Sequence, residues 1–350
     1  MHQTRLRNWR DYNQFKTVGQ RYLPQLLDGI IAQSVWPERP RASGRPVSQD
    51  RERFLLRCAT QRTLLGDSSR DAIGHLPWWT GPLPPPVHFN TLLDFLRRPR
   101  TTLLIQAALE ESTRPLWGKE RVFACDATGL GIPFAPRWHE IRALKHVSRK
   151  DYVKLHICCG TCSNLVVAAH VTGGRAGDAP VFPQLARQTA RHFLFEEVSG
   201  DTAYCSRDNC RVADQLGATP YFWPRKDATV KAMGVKAWHT MIQLFQEQPE
   251  EFGVHYHQRS NSEVVFGAMK WLFGGFLFAK DPQARFNEAL LKVLCYNAVV
   301  LVRSSMELGI DLAPIEAARS PAPAYPLPPR GEWVEPGWAP GHCVEVGGSA

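Results

Sequence analysis

The chain has 350 residues, of which 44% are hydrophobic and 21% charged, with a formal net charge of +9. This composition is sufficient for two modest globular domains and excludes a wholly disordered chain. The polar opening segment without an apolar centre, and the lack of a run of about 18 apolar residues, predict a soluble cytoplasmic protein without a membrane segment.

The positive charge is concentrated in the first third of the chain. Residues 1–115 contain 17 Lys and Arg against 10 Asp and Glu, and Lys16 is the one Lys among them. Such a segment is typical of a module that binds a polyanion, and the planar guanidinium of Arg matches the geometry of a phosphate group. A coding bias that favours Arg explains the Arg excess equally well.

Residues 1–115 are predicted to be mostly helical. Apolar periodicity indicates a helix over 49–65, and the turn at 66–69 precedes a second, short helix that ends near Leu76. Asn90 is a candidate N-cap for a third helix, which Pro99 would end. Three short helices with basic ends fit a DNA-binding domain of the helix-turn-helix type. A helical packing or dimerisation domain remains an equal alternative.

Residues 116–312 show a different pattern, in which strands and helices alternate. Strands are expected at 121–127, in a hairpin of 152–159 and 164–172, at 192–198 and at 219–223. Asp178 and Ser206 are candidate N-caps of helices that end near Arg191 and Leu216. Further helices are expected at 236–248, 259–273 and 286–307. This order predicts a mixed α/β fold, and residues 313–350, rich in Pro and Gly, are expected to have little fixed structure.

Three acids occupy positions that suit chemistry. Asp126 ends the first strand, Asp201 follows the strand near 192–198, and Glu263 lies in a predicted helix. Carboxyl ends of neighbouring strands face a common crevice, so the three carboxylates can converge there. Their mutual repulsion would be relieved by a divalent cation, and oxygen ligands favour Mg²⁺ or Mn²⁺ over zinc.

The helix that carries Glu263 has a polar stripe. At 100° per residue, Tyr256, Arg259, Glu263 and Lys270 fall within an arc of about 60° if the helix extends back to Tyr256. The apolar positions lie on the opposite side. An ordinary amphipathic helix with a solvated Arg–Glu pair explains the same pattern.

Three segments, taken in order, resemble one protein family. The run Tyr256-x2-Arg259-x3-Glu263-x6-Lys270 resembles the Y(2)R(3)E(6)K signature of bacterial insertion-sequence transposases of the DDE type. FACDATGL, with Asp126, resembles the segment of the first Asp in that family, and SGDTAYCSRDN, with Asp201, resembles the segment of the second. The resemblance spans about residues 120–305.

This resemblance implies a ribonuclease H-like catalytic fold in which Asp126, Asp201 and Glu263 hold two divalent metal ions, Mg²⁺ or Mn²⁺. The implied activity is cleavage at a transposon end followed by transfer of its 3′-hydroxyl into target DNA. Tyr256, Arg259 and Lys270 would contact phosphates. The implied partners are terminal inverted repeats, target DNA and a second copy of the chain, at the bacterial nucleoid. A transposase-derived DNA-binding protein, or a metal-dependent nuclease without strand transfer, remains an alternative.

Several other features are weaker candidates. The basic stretch Arg137–Lys154 could follow a DNA backbone or be a solvated loop. Trp223 or Trp238 could stack on an unpaired base, although a core role fits them as well. Cys159 and Cys162 with His156 suggest zinc, but no second ligand pair follows at the required spacing.

Overall fold

The computed structural model describes residues 13, 15–17, 19–38, 48–80, 87–133, 152–229 and 234–316, all within one compact unit. The helices among them are α1 Leu23–Gln33, α2 Gln49–Leu65, α3 Ser69–Thr80, α4 Phe89–Leu96, α5 Pro99–Ser112, α6 Phe182–Thr189, α7 Arg207–Gln215, α8 Lys236–Glu247, α9 Pro249–Tyr256, α10 Ser260–Phe273, α11 Pro282–Leu308 and α12 Ala313–Glu316. The strands are β1 Val122–Gly131, β2 Tyr152–Gly160, β3 Val166–Gly173, β4 Glu197–Gly200 and β5 Thr219–Phe222.

The five strands form one mixed sheet in the order β3-β2-β1-β4-β5. β1, β2 and β3 are antiparallel neighbours, whereas β4 runs parallel to both β1 and β5. Helices cover the sheet, so the predicted mixed α/β architecture is confirmed, and it is consistent with a ribonuclease H-like fold.

The two faces of the sheet receive different helices. On β2, Ile157 pairs with Asp126 and the preceding His156 pairs with His170. Adjacent strand residues point to opposite faces. Ser262 of α10 contacts Asp126, and Gln184 of α6 contacts His170. α10 and α6 therefore lie on opposite faces, with Asp126 on the face that α10 covers.

The long helix α11 joins the N-terminal helices to the sheet. Asp281 caps its start by accepting a hydrogen bond from the Ala284 amide, and Gly309 ends it with a φ of 65°. α1, α2 and α5 pack on it, and so do β3 and α10. Its length and composition would allow it to cross a membrane, but 78% of its most apolar window is buried inside the protein. It is therefore a core helix.

The N-terminal half contains helices that the sequence analysis missed. α1 falls in the segment before residue 43, and α5 begins at Pro99. The predicted third helix is confirmed as α4, which ends at Leu96, just before Pro99. Pro99 also begins α5, where the missing N–H of a proline costs nothing. The expected Asn90 cap is wrong, because the His88 side chain accepts a hydrogen bond from the Asn90 amide. The division at residue 115 stays a prediction.

The α/β half matches the predicted order with four local differences. The strand expected at 192–198 lies at Glu197–Gly200, and β1 continues to Gly131. Asp178 does not cap a helix: its carboxylate pairs with Lys154 Nζ at 2.5 Å, and a 3-10 turn precedes α6. α9 was not predicted, whereas Ser206 caps α7 as expected by accepting from the Asn209 amide.

Two predicted features lie largely outside the described residues. The basic stretch Arg137–Lys154 is described only from Tyr152 onward. Within that part, Lys154 is engaged with Asp178. The tail, residues 313–350, was expected to have little fixed structure. Its first four residues, Ala313–Glu316, form a short helix, and residues 317–350 lie outside the described part of the chain.

Candidate active site

Two of the three predicted acids lie where the parallel pairing of β1 with β4 ends. The prediction that Asp126 ends its strand is wrong, since β1 continues to Gly131 through its pairing with β2. The last registered pair between β1 and β4 is Cys125 with Gly200, and Asp126 and Asp201 follow these two residues directly. Neighbouring strands are about 4.8 Å apart, which brings the backbones of the two aspartates together. Burial raises the pKa of Asp126 most, and the Asp201 charge adds to this, as expected for two carboxylates that share a crevice.

Asp126 is buried and its carboxylate has three partners. Oδ1 accepts a 2.8 Å hydrogen bond from the Ala127 amide, and the Ser262 hydroxyl lies 3.1 Å from Oδ2. A guanidinium nitrogen of Arg259 lies 3.8 Å from the same Oδ2. Burial is the largest influence and raises the pKa of Asp126, while these three partners act in the opposite direction. The carboxylate is thus held in place but incompletely compensated.

Asp201 begins the turn between β4 and α7. It is half-buried, and its Oδ1 accepts a 2.9 Å hydrogen bond from the Ala203 amide. The same turn places Tyr204 in the interior, where its hydroxyl has no hydrogen-bond partner among the described residues. Burial raises the pKa of Tyr204, and the charges of Asp126 and Asp201 contribute in the same direction.

The helix α10 brings the third acid toward this pair. Ser262, Val265 and Met269 are buried toward the sheet, whereas the Glu263 side chain is 60% exposed. Lys270 Nζ lies 2.6 Å from the Thr128 hydroxyl, which ties the C-terminal half of the helix to β1. Glu263 is bonded to Arg259, with 2.6 Å between Nη1 and Oε1.

Arg259 therefore lies between Glu263 and Asp126 and contacts both. Within the described parts of the chain, no group of three or more His, Cys, Asp or Glu side chains is arranged to hold a metal ion. The structure brings Asp126 and Asp201 together and connects Glu263 to Asp126 through Arg259. Three carboxylates and one guanidinium leave an excess of negative charge, and the donors are all oxygens, a set that suits Mg²⁺ or Mn²⁺.

Tyr256 lies beside the acids at the end of α9. A 3-10 turn, His257–Arg259, separates α9 from α10, so the polar stripe does not run along one uninterrupted α-helix. The rings of Phe252 and Trp223 pack against Tyr256. Burial is the largest influence on the pKa of Tyr256 and raises it. The Arg259 charge lowers this pKa, whereas the charges of the three acids raise it, so the phenol lies close enough to these side chains for their charges to affect it.

The two candidate tryptophans and the candidate zinc ligands have different environments. Trp238 is buried and donates its indole N–H to the Thr229 carbonyl, so it belongs to the core. Trp223 is 41% exposed next to Tyr256. Cys159 is buried and Cys162 exposed, and His156 bonds to Thr172, so these three residues form no zinc site.

Ser262 is a site residue that the sequence analysis missed. It lies at the border of the predicted apolar stripe, one position before Glu263. A small hydroxyl residue at such a border can face a buried carboxylate on the sheet, and this was the available signal.

One comparison with known proteins bears on this geometry. A family model described as the transposase DDE domain matches residues 117–298, just over half of the chain. The match starts before β1, ends within α11 and includes all three acids. The chain therefore belongs to the transposase DDE domain family, which has a function related to DNA transposition.

Proposed function

We propose that this protein is a DDE transposase that cuts the DNA at a transposon end and joins the resulting 3′-hydroxyl to target DNA. The observation that supports this most is the placement of Asp126 and Asp201 directly after the last registered pair of two parallel strands. The helix that carries Glu263 packs over the same strand through Ser262 and Lys270.

In this proposal Asp126, Asp201 and Glu263 hold the divalent cations, Mg²⁺ or Mn²⁺, that members of this family typically use. Two bound ions supply charge stabilisation at the attacking and leaving oxygens of a phosphoryl transfer. Glu263 can turn toward the aspartates once it releases Arg259, because its side chain is 60% exposed.

The side chains around the acids have the chemistry to position DNA. Arg259 can bind a phosphate with two parallel N–H donors, and Lys270 supplies a point charge. The Tyr256 phenol stays protonated, because burial raises its pKa, and it can donate a hydrogen bond to a phosphate oxygen. These contacts would orient the scissile bond without reading its sequence.

The proposed partners are the terminal inverted repeats of an insertion sequence, the target DNA and a second copy of the chain that holds the other end. The basic N-terminal helices are the proposed region for binding the ends, and the bacterial cytoplasm at the nucleoid is the proposed location. The positive charge of residues 1–115 supports this assignment.

The test uses the DNA that flanks the coding region. Imperfect inverted repeats bracketed by short direct duplications are expected there. A duplex with such an end should be cut by the full-length protein in Mg²⁺, and the cut end should be joined to a target plasmid. Nicks or breaks without joined products would indicate a nuclease, and binding without any cut would indicate a DNA-binding derivative. Either result would contradict the proposal.

A further inference from the structure

We infer that Arg259 is an internal counter-cation that divalent metal ions must displace from Glu263 and Asp126. This inference rests on the proposed function, since it concerns how the same three acids change between a metal-free and a metal-bound site.

The contacts of Arg259 support this role. One guanidinium nitrogen lies 2.6 Å from Glu263 and another 3.8 Å from Asp126. The side chain is 23% exposed, and Nε is buried without a hydrogen-bond partner among the described residues. Arg259 is therefore charge-paired but not fully hydrogen-bonded, as expected for a group that can exchange this arrangement for another.

The geometry of the acids shows why the guanidinium and the metal compete. Glu263 bends toward Arg259, and the described carboxylates form no three-acid metal cluster in that state. Asp126 is 13% exposed, whereas Glu263 is 60% exposed, so Glu263 is the acid that is free to move. A cation held by all three acids would therefore compete with Arg259 for the Glu263 carboxylate.

Displacement would also prepare the site for DNA. When Arg259 is released from the two carboxylates, its planar guanidinium is available to bind a phosphate. The site would thus keep Arg259 neutralised in the absence of metal and offer it to DNA once metal is bound.

Removal of the Arg259 charge should increase the affinity of the site for divalent metal ions. In the full-length protein without DNA, Arg259→Gln should bind Mn²⁺ about tenfold more tightly than wild type, because a unit positive charge near the ligands is removed and no longer competes. Electron paramagnetic resonance of free Mn²⁺ gives this affinity directly. In a thermal melt, saturating Mn²⁺ should also raise the Tm of Arg259→Gln more than that of wild type.

Lys270→Gln is the matched control, since it removes the same charge from a residue that contacts Thr128 and not an acid. Its Mn²⁺ affinity should stay within about threefold of wild type. If Arg259→Gln binds Mn²⁺ no more tightly than Lys270→Gln, the effect is general electrostatics and the inference is overturned.

Arg259→Lys keeps the charge and covers the case in which the Gln variant fails to fold. Because an ammonium lacks the fork that spans two carboxylates, Mn²⁺ should bind about two- to threefold more tightly than to wild type. Unchanged or weaker binding would overturn the inference. Failure of wild type to bind Mn²⁺ would instead remove the proposed metal site, so the two failures are distinguishable.

Discussion

The hydroxyl of Ser262 lies 3.1 Å from Oδ2 of Asp126, although 136 positions separate the two residues in the chain. Ser262 is fully buried, and its Oγ also lies 2.7 Å from the Arg259 carbonyl. Through these contacts Ser262 holds α10 against β1 beside Asp126, one of the three proposed catalytic acids. It is a positioning residue, since it reaches the reaction only through Asp126.

Ser262→Ala should therefore lower DNA cleavage by about 10- to 100-fold, the range typical when a partner of a metal-binding carboxylate is removed. The Mg²⁺ concentration at half-maximal rate should rise, which a purely structural role would not cause. The expected loss of stability is about 1 kcal/mol. Single-turnover cleavage over a range of Mg²⁺ concentrations measures the first two effects.

Ser260→Ala is the control, because Ser260 is exposed on the same helix and its hydroxyl donates to the nearby His257 carbonyl. It should leave the Mg²⁺ dependence unchanged. Equal effects of the two substitutions would mean that Ser262 does not position Asp126.

A buried lysine fixes the loop after α10. Lys292 is 3% exposed, and its Nζ donates to the carbonyls of Phe273, Gly274 and Phe276 at 2.9, 2.9 and 2.6 Å. Lys292→Met should lower the free energy of unfolding by about 3 kcal/mol or more, because three carbonyls lose their donor and the nearby Glu288 loses its counter-charge. Urea denaturation measures this change.

The exposed Lys280, in the segment just before α11, provides the comparison. Lys280→Met should change stability by about 0.5 kcal/mol or less. A loss below about 1 kcal/mol for Lys292→Met would show that water or a rearranged loop replaces the ammonium.

His156 should make stability depend on pH. It is fully buried, and burial is the largest influence on its pKa, which is lowered from 6.5 to about 4; the Asp178 charge opposes this, and the Lys154 and His170 charges add to it. The unfolded chain therefore binds a proton near pH 6.5 that the folded protein does not bind until near pH 4. The contribution of neutral His156 is fully present above pH 6.5 and is lost as the pH falls toward 4, by about 3 kcal/mol.

Urea denaturation at pH 7 and pH 5 of wild type and His156→Gln measures this dependence. Gln keeps a polar atom toward Thr172 but does not titrate, so the loss between the two pH values should be smaller in the variant. An identical loss in both proteins would assign the pH dependence to other groups.

Local rules predicted the elements that are fixed by neighbouring residues. Ser206 caps α7 as predicted, because a serine hydroxyl just before an amphipathic run can accept from a free amide of the first turn. The end of α4 before Pro99 was predicted, but the start of α5 at Pro99 was not, because a proline can both follow one helix and begin the next. α5 is held in place by its packing on α11, which no local pattern reveals. Asp178 was misassigned because its ion pair with Lys154 joins residues 24 positions apart, which no local pattern reveals.

In the candidate site, too, local patterns predicted some features, and tertiary packing determines the others. Strand ends and helical periodicity predicted that Asp126, Asp201 and Glu263 would approach one another, and the helix face placed Arg259 beside Glu263. The role of Arg259 between two acids, and that of Ser262 beneath one, depend on how α10 is seated over β1. That docking is set by tertiary packing of Val265 and Met269 and could not be derived from spacing.

The most direct test of the account is Mg²⁺-dependent cleavage of a transposon-end duplex by wild type, Asp126→Asn, Asp201→Asn and Glu263→Gln, with Glu250→Gln, an exposed acid of α9, as the control. Each of the three site variants should lose cleavage by at least about 1000-fold while binding the duplex as wild type does, and the control should cut normally. Near-normal cleavage by any one of the three would contradict the assignment of that carboxylate to the catalytic centre.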